Sequence, residues 1–346
     1  MENSVELKPA VYQGDLVNQA DFIPRRGLAA LFDYVFLVRP VLFFPVWTGF
    51  FAGFLEATTR KSGLLHFQPI WQILREATFW QAFLVLSLAM AFSFVVNQFT
   101  DIHSDRQNNK LFLIAHGIIP KRTAVLEAVG LVTAGLVFAL QGPGWMLLLF
   151  GLTVLVAGFF YSLPPFAFKD RPIAGFVVNM AGAFLIFFFG WRVTDDQLGL
   201  ALLHSAPYLL AVASVYLLTT VLDEPGDRVS GKITFAVRYG RRRTVQMAIW
   251  VEIACIVMAV VLQKYLVLIP AVLSLPLFIR LKRDFREEWV VPATRFPILF
   301  LSLAMAVWLP FYLLMMAGIY LLSRWYYRNR FGLHYPSLTK IAEGTR

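Results

Sequence analysis

The sequence predicts an all-α polytopic membrane protein with nine transmembrane helices, and three observations lead there. First, 58% of the 346 residues are hydrophobic and only 15% are charged, whereas a soluble chain carries roughly a quarter charged residues. Second, mean hydropathy is +0.65 and 33 residues are Phe, an apolar excess that needs lipid to cover it. Third, the apolar residues fall into windows of the ~20 residues that cross ~30 Å of hydrocarbon.

Those windows lie near 31–54, 79–99, 123–141, 144–162, 173–192, 206–222, 244–262, 265–280 and 297–322. Pro270 and Pro276 interrupt the short eighth window, which predicts a kink or tilt. The joints after the third, fifth and seventh windows are short and poor in bases (QGPG, TDDQLG, QKY), while those after the second, fourth, sixth and eighth are basic. The positive-inside rule therefore puts the N-terminus and the even joints in the cytosol. Nine crossings leave the basic tail, 323–346, on the other side, against the same rule. Residues 1–27 are polar and of mixed charge, with no apolar core before Leu28. They predict a cytosolic or interfacial segment rather than a cleaved signal peptide. Residues 28–322 form the membrane domain.

The net charge of +10 comes from bases beside apolar spans, which suits a lipid bilayer as partner and excludes nucleic acid as the reason for it. The one cysteine, Cys255, is mid-span, so no disulfide or cysteine-built metal site arises within the chain. The scattered histidines, His66, His116, His204 and His334, suggest no zinc site.

Polarity concentrates at two span ends. In NQFTDIHSDRQNNK (97–110), Asn97, Asp101 and Asp105 are spaced four apart. On a helix they drift by only ~40° per step and share one face. His103 points away from it. In LDEPGDRVSGK (222–232), Asp223 and Asp227 are again four apart, but Pro225 and Gly226 predict a possible break between them. Carboxylates gathered at a membrane boundary repel and lose solvation. A Mg²⁺ ion relieves this, and it characteristically bridges one or two carboxylates to substrate phosphates. The bases Arg106, Lys110, Arg228 and Lys232 follow the acids closely and suit phosphate oxygens. The pattern is thus that of a metal-bound anion. A third stretch, FFYSLPPFAFKDRP (159–172), closes the fourth window on the same side, with Tyr161 at the interface and Lys169 and Arg171 beyond it.

These stretches resemble the UbiA-type intramembrane prenyltransferase superfamily. The N-x-x-x-D-x-x-x-D pattern is matched by Asn97, Asp101 and Asp105, and D-x-x-x-D by Asp223 and Asp227, continued as GDRVSGKIT. Y-S-x-P-P-x-x-x-K is matched from Tyr161 to Lys169, and VRP at 38–40 resembles an Arg-Pro of the first span. The chain departs from the pattern at Thr220, where many members carry Asp, and at KLFLIAHG (110–117), where many carry Arg-Pro-Leu-Pro-Ser-Gly and where Lys110 stands in for an Arg.

The resemblance implies nine helices around a central cavity with cytosolic cap loops. Asn97, Asp101, Asp105, Asp223 and Asp227 would hold Mg²⁺ on an isoprenyl diphosphate, with the four aspartates as the catalytic set. Asn97, Arg106, Lys110, Tyr161, Lys169, Arg228 and Lys232 would bind the diphosphate. The isoprenyl group would pass to a hydrophobic acceptor, either aromatic, a quinone precursor or a tetrapyrrole, contacted by Arg39 and Asn179. The expected location is a cell inner membrane, multi-pass, with the site facing the cytosol. A lipid alcohol as acceptor, internal cyclisation of the cation as in a terpene cyclase, and a cation-linked transporter are the alternatives.

Overall fold

The computed structural model describes residues 27–62, 67–107 and 112–339. Their regular structure is helical. After a lead-in at Leu28–Leu37 come ten long helices. These are α1 (Phe43–Ser62), α2 (Ala77–Gln107), α3 (Lys121–Leu140), α4 (Gly144–Phe160), α5 (Pro172–Arg192), α6 (Leu198–Val229), α7 (Arg241–Val261), α8 (Tyr265–Asp284), α9 (Glu287–Trp308) and α10 (Pro310–Phe331). Eight of them, all but α4 and α10, are long and apolar enough to cross a membrane.

The expected ninth span, 297–322, is two helices. The chain breaks at Leu309, and Pro310 opens α10 as its first residue, where its missing N–H costs nothing and its fixed φ suits a helix start. The last turn of α10 then packs on the lead-in before α1. Arg330 Nη2 donates to Asp33 Oδ2 at 2.8 Å, Tyr326 OH to Asp33 Oδ1 at 2.7 Å, and Phe36 stacks on Tyr326 at 3.7 Å. Gln98 of α2 in turn donates to the Leu37 carbonyl at 2.7 Å. The end of α10 therefore lies on the same face as the end of α2. Arg328 and Arg330 join the other basic joints, which removes the conflict that nine crossings created.

Three further expectations change. Arg39 is not inside the first span: it sits in the left-handed region (φ 56) between the lead-in and a 3₁₀ turn at Pro40–Leu42, so α1 starts at Phe43. Helix α6 runs unbroken through Pro225 and Gly226 to Val229, which puts Asp223 and Asp227 on one face after all. The acidic motifs consequently occupy the ends of long helices and not loops. Pro270 and Pro276 lie inside α8, which is assigned as one helix.

At the opposite face, Arg60 of α1 pairs with Asp195 after α5, and Lys61 Nζ donates to the Thr194 carbonyl at 2.8 Å. Helices α1 and α5 pack backbone to backbone. A Cβ on Gly53 would stand 1.9 Å from the Phe187 carbonyl oxygen, and one on Gly190 1.8 Å from that of Phe50. Small residues permit such approach where no hydrophobic drive separates helix from lipid. Around this seam Phe50, Phe51, Phe54, Phe79, Phe187 and Trp191 are fully buried.

Cys255 is buried, so introduced cysteines label cleanly. An impermeant maleimide should reach Arg228→Cys and Arg328→Cys from one side of the membrane and Lys61→Cys from the other. Labelling of Arg328→Cys together with Lys61→Cys would restore the nine-span path.

Candidate active site

The site forms where the ends of α2, α4 and α6 meet the turns that follow them. Helix α4 widens into π-helical turns over Val154–Phe160, a form often found at functional sites, and delivers Tyr161 and Ser162. A 3₁₀ turn at Phe168–Asp170 then brings Lys169 back over α2.

Lys169 is buried, and its ammonium makes three contacts on α2: Asn97 Oδ1 at 2.7 Å, Thr100 Oγ1 at 2.6 Å and Asp101 Oδ1 at 2.8 Å. Ser162 Oγ also donates to Asn97 Oδ1, at 3.1 Å. With its oxygen facing these two donors, Asn97 keeps an amide N–H₂ that makes no hydrogen bond among the described residues.

The second half comes from α6. Its C-terminal turn is followed by Gly231 at φ +74, a left-handed conformation that glycine adopts without steric cost. That turn closes with Lys232 N–H donating to the Asp227 carbonyl at 2.9 Å, and Ile233 N–H to that of Asp170 at 3.0 Å. Thr234 Oγ1 donates to Asp227 Oδ2 at 3.0 Å. The reversal throws Lys232 across to α2, where Nζ reaches Asp101 Oδ1 at 2.5 Å with Asp170 Oδ1 at 3.9 Å.

Two lysines thus share one aspartate oxygen, and their surroundings set them apart. Burial pushes the Lys169 ammonium below the ordinary lysine value, against the pull of Asp101. Burial also works against Lys232, but Asp101, Asp170 and Asp227 together hold it above that value. Burial raises the Asp170 carboxyl even though both lysines favour its charge. Tyr161 stands within electrostatic reach of Asp101, Asp223, Asp227 and Tyr216.

Of the residues expected from sequence, Asn97, Asp101, Tyr161, Lys169, Asp223, Asp227 and Lys232 gather here. Asp105 is buried one turn beyond Asp101. Arg228 is exposed and turns to Glu224, at 2.7 Å, away from the cluster. Lys110 and the side chains of His103 and Arg106 lie outside the described residues. Arg39 and Asn179 are both part-exposed, Arg39 before α1 and Asn179 on α5, and no hydrogen bond joins the two. Arg192 lies over Trp145 at 5.5 Å, at the far end of α5.

The sequence reading missed Thr100, Ser162, Asp170, Tyr216 and Thr234. A signal existed for Tyr216: positions 216, 220, 223 and 227 fall on one helical face.

Among the described residues no three of His, Cys, Asp and Glu come together closely enough to enclose a metal ion. Mg²⁺ characteristically keeps several waters and bridges one or two carboxylates to substrate phosphate rather than taking an all-protein cage. Asp105, Asp223 and Asp227 carry oxygen donors of the kind Mg²⁺ takes, one or two at a time, while Asp101 Oδ1 is already engaged by two lysines.

A bundle of antiparallel membrane helices with carboxylates and lysines gathered at one end defines an intramembrane polar site. Residues 46–303 match the UbiA prenyltransferase family, and the chain belongs to that family. A probable homogentisate phytyltransferase 2 of rice (Oryza sativa subsp. japonica) is 30% identical over 155 residues, covering 42% of this chain and 41% of that protein. A 2-acylphloroglucinol 4-prenyltransferase of Humulus lupulus is 27% identical over 155 residues, 42% of this chain and 37% of that one. The chain thus spans about two fifths of the length of the curated relatives it matches. A UbiA homologue from Archaeoglobus fulgidus, solved with DMAPP and Mg²⁺, shares the fold at a TM-score of 0.58 and 18% identity, over 82% of this chain and 99% of that one.

Proposed function

We propose that the protein transfers an isoprenyl group from an isoprenyl diphosphate to an aromatic, quinone-precursor or tetrapyrrole acceptor within the membrane. One observation carries this reading: Lys169 and Lys232, from two different turns, converge on Asp101 at one end of the bundle, with Asp223 and Asp227 of α6 also within electrostatic reach of Tyr161. Carboxylates alone would suit a cation. Interleaved buried lysines suit a phosphate whose oxygens they bind by charge-assisted hydrogen bonds.

In this reading Lys232 and the Asn97 amide hold the diphosphate oxygens, and Lys169 fixes the end of α2. One or two of Asp105, Asp223 and Asp227, with waters, would hold Mg²⁺. When bound, the ion offsets phosphate charge and eases departure of the diphosphate. As the allylic C–O bond breaks, its electron pair leaves with the diphosphate, and the carbocation is attacked by an acceptor carbon or oxygen that then loses a proton. Tyr161 and Tyr216 present aromatic faces near the reacting end, where cation–π attraction shields the carbocation, and the surrounding bundle keeps water from it. Arg39 and Asn179 are the proposed acceptor contacts. A cytosol-facing site in a cell inner membrane is the proposed setting.

A transporter would use ionisable groups along the membrane depth. In the middle of α6 and α7 the pair Ser214 Oγ and Glu252 Oε2, 2.5 Å apart, is a single carboxylate bonded to a hydroxyl and gives no relay.

The test is diphosphate release by the full chain in lipid nanodiscs, with a series of isoprenyl diphosphates and acceptors including homogentisate. Release should require both an acceptor and Mg²⁺, stop with EDTA and return with added Mg²⁺. Release without an acceptor would point to a cyclase or hydrolase. Metal-independent release would contradict the assigned carboxylates, and no release with any donor would reject prenyl transfer.

A further inference from the structure

At the other end of the bundle, a cavity of about 170 Å³ is lined by Glu56, Thr59, Arg60, His204, Gln263, Lys264, Tyr265 and Leu266. Its volume is several times the ~30 Å³ share of one water. Along α6, His204 is separated from Asp227 by 23 residues, or about 35 Å at helical rise, so this cavity is not part of the site described above.

The cavity floor is a closed polar network. Glu56 is buried, and both its oxygens are taken: Tyr208 OH donates to Oε1 at 2.7 Å and Lys264 Nζ to Oε2 at 2.6 Å. Lys264 Nζ also stands 2.6 Å from His204 Nδ1. His204 Nδ1 is also 3.3 Å from Glu56 Oε2, so this ring nitrogen is engaged inside the network and Nε2 is the one left over. The Trp191 ring, edge-on at 5.1 Å, holds the imidazole in place. Thr59 turns its hydroxyl to the Leu55 carbonyl at 2.7 Å.

What the network leaves over is a set of donors. His204 Nε2, the third Lys264 proton and the Gln263 amide make no hydrogen bond among the described residues, and Arg60 spends one nitrogen on Asp195. Donors outnumber the acceptors that remain, of which the Gln263 carbonyl oxygen is one. Of the charged residues that line the cavity, Arg60 and Lys264 are cations and Glu56 is the carboxylate, an excess of one positive charge.

Gln263 adds an independent observation. It follows the end of α7 at φ +55, the left-handed position where glycine is the usual residue. A side chain there carries a backbone cost that glycine would avoid, and this one lines the cavity. The mouth is flanked by Tyr265, which is 54% exposed, an amphipathic residue of the kind that marks the headgroup level.

We infer that this cavity is a second ligand site, which binds a phosphate group at the membrane face opposite the acidic motifs. Two sources present that chemistry, a phospholipid headgroup and free phosphate. Arg60, His204, Gln263 and Lys264 supply the donors, and Glu56 orients Lys264 and joins α1 to α6.

Native mass spectrometry of the full chain tests it, by titration with dioctanoyl phosphatidylglycerol, inorganic phosphate, and dioctanoylglycerol as the headgroup-free control. The wild type should saturate one site with phosphatidylglycerol or with phosphate. His204→Phe, and Gln263→Gly, which suits φ +55 and leaves the Glu56 network whole, should each weaken that Kd at least tenfold. Saturation by phosphatidylglycerol alone assigns the lipid headgroup, and saturation by phosphate as well assigns a free anion. Equal affinity in all three proteins, or equally tight binding of dioctanoylglycerol, would overturn the assignment and leave the network as an internal clamp.

Discussion

Asp227→Asn is expected to lower the rate of diphosphate release by about 10³-fold while the protein stays folded, the scale set by losing one preorganised electrostatic group from a catalytic site. The substitution is chosen because Asp227 has two duties. Its backbone carbonyl and its Oδ2 shape the turn that carries Lys232, through Lys232 N–H and Thr234 Oγ1. Its charge faces the site. Asparagine keeps the size and still accepts from Thr234, so only the charge is removed. A 10³-fold loss corresponds to about 4 kcal/mol of transition-state stabilisation. Thr234→Val, which loses a single hydrogen bond to Asp227, should cost far less. Single-turnover release in nanodiscs, with the thermal transition of each variant as a control for folding, measures both. Retention of activity within tenfold of wild type by Asp227→Asn would remove Asp227 from the catalytic set.

Asp101→Ala should also abolish release, but it reads less cleanly. It leaves Lys169 and Lys232 without their shared carboxylate, so two ammonium groups in a confined space repel and the helix end shifts. Loss of activity there mixes charge with geometry, which is why the Asp227 substitution is the sharper one.

Much of this site was legible because helical spacing projects residues four apart onto one face. Asn97, Asp101 and Asp105 were read that way, and so were Asp223 and Asp227, although Pro225 and Gly226 argued for a break. The helix persists because the missing proline N–H costs one bond in a terminal turn, while α6 is held along its length by α7. What spacing cannot convey is reach. Lys232 crosses from one helix end to another because Gly231 reverses the chain, and Lys169 because a 3₁₀ turn folds it back. Arg228, equally basic and closer to Asp227 in sequence, turns outward to Glu224. The division of 297–322 was hidden for another reason: hydropathy runs evenly through Leu309 and Pro310, and a proline at the start of a helix looks in sequence like one within it. The cavity at the opposite face assembles residues 56, 60, 204, 263 and 264, which no local pattern links.

The second large effect should separate the two lysines on Asp101. Lys232→Met is expected to reduce kcat/KM for the isoprenyl diphosphate about 10²-fold with a thermal transition close to wild type. Its side chain is the more accessible of the two, 17% exposed against 7% for Lys169, and in this reading it meets phosphate directly. Lys169→Met should lower the thermal transition as well as the rate. It removes one partner of a buried ion pair, a change that costs about 3–5 kcal/mol in comparable cases, and it unties the turn after α4 from Asn97, Thr100 and Asp101 together. The pH response should divide in the same sense. Asp101, Asp170 and Asp227 hold Lys232 above the ordinary 10.5 against the effect of burial, so its contribution is whole below that pH and is lost only above it. Burial lowers Lys169, so between the two lysines it is Lys169 that loses its proton first as pH rises. An alkaline fall in kcat that persists in Lys232→Met, together with unchanged KM in Lys169→Met once folding is accounted for, would support phosphate binding by Lys232 and positioning by Lys169. An unchanged KM in Lys232→Met, with its thermal transition lowered as far as that of Lys169→Met, would instead make both lysines structural partners of Asp101 and return the phosphate contact to the bases beyond α2.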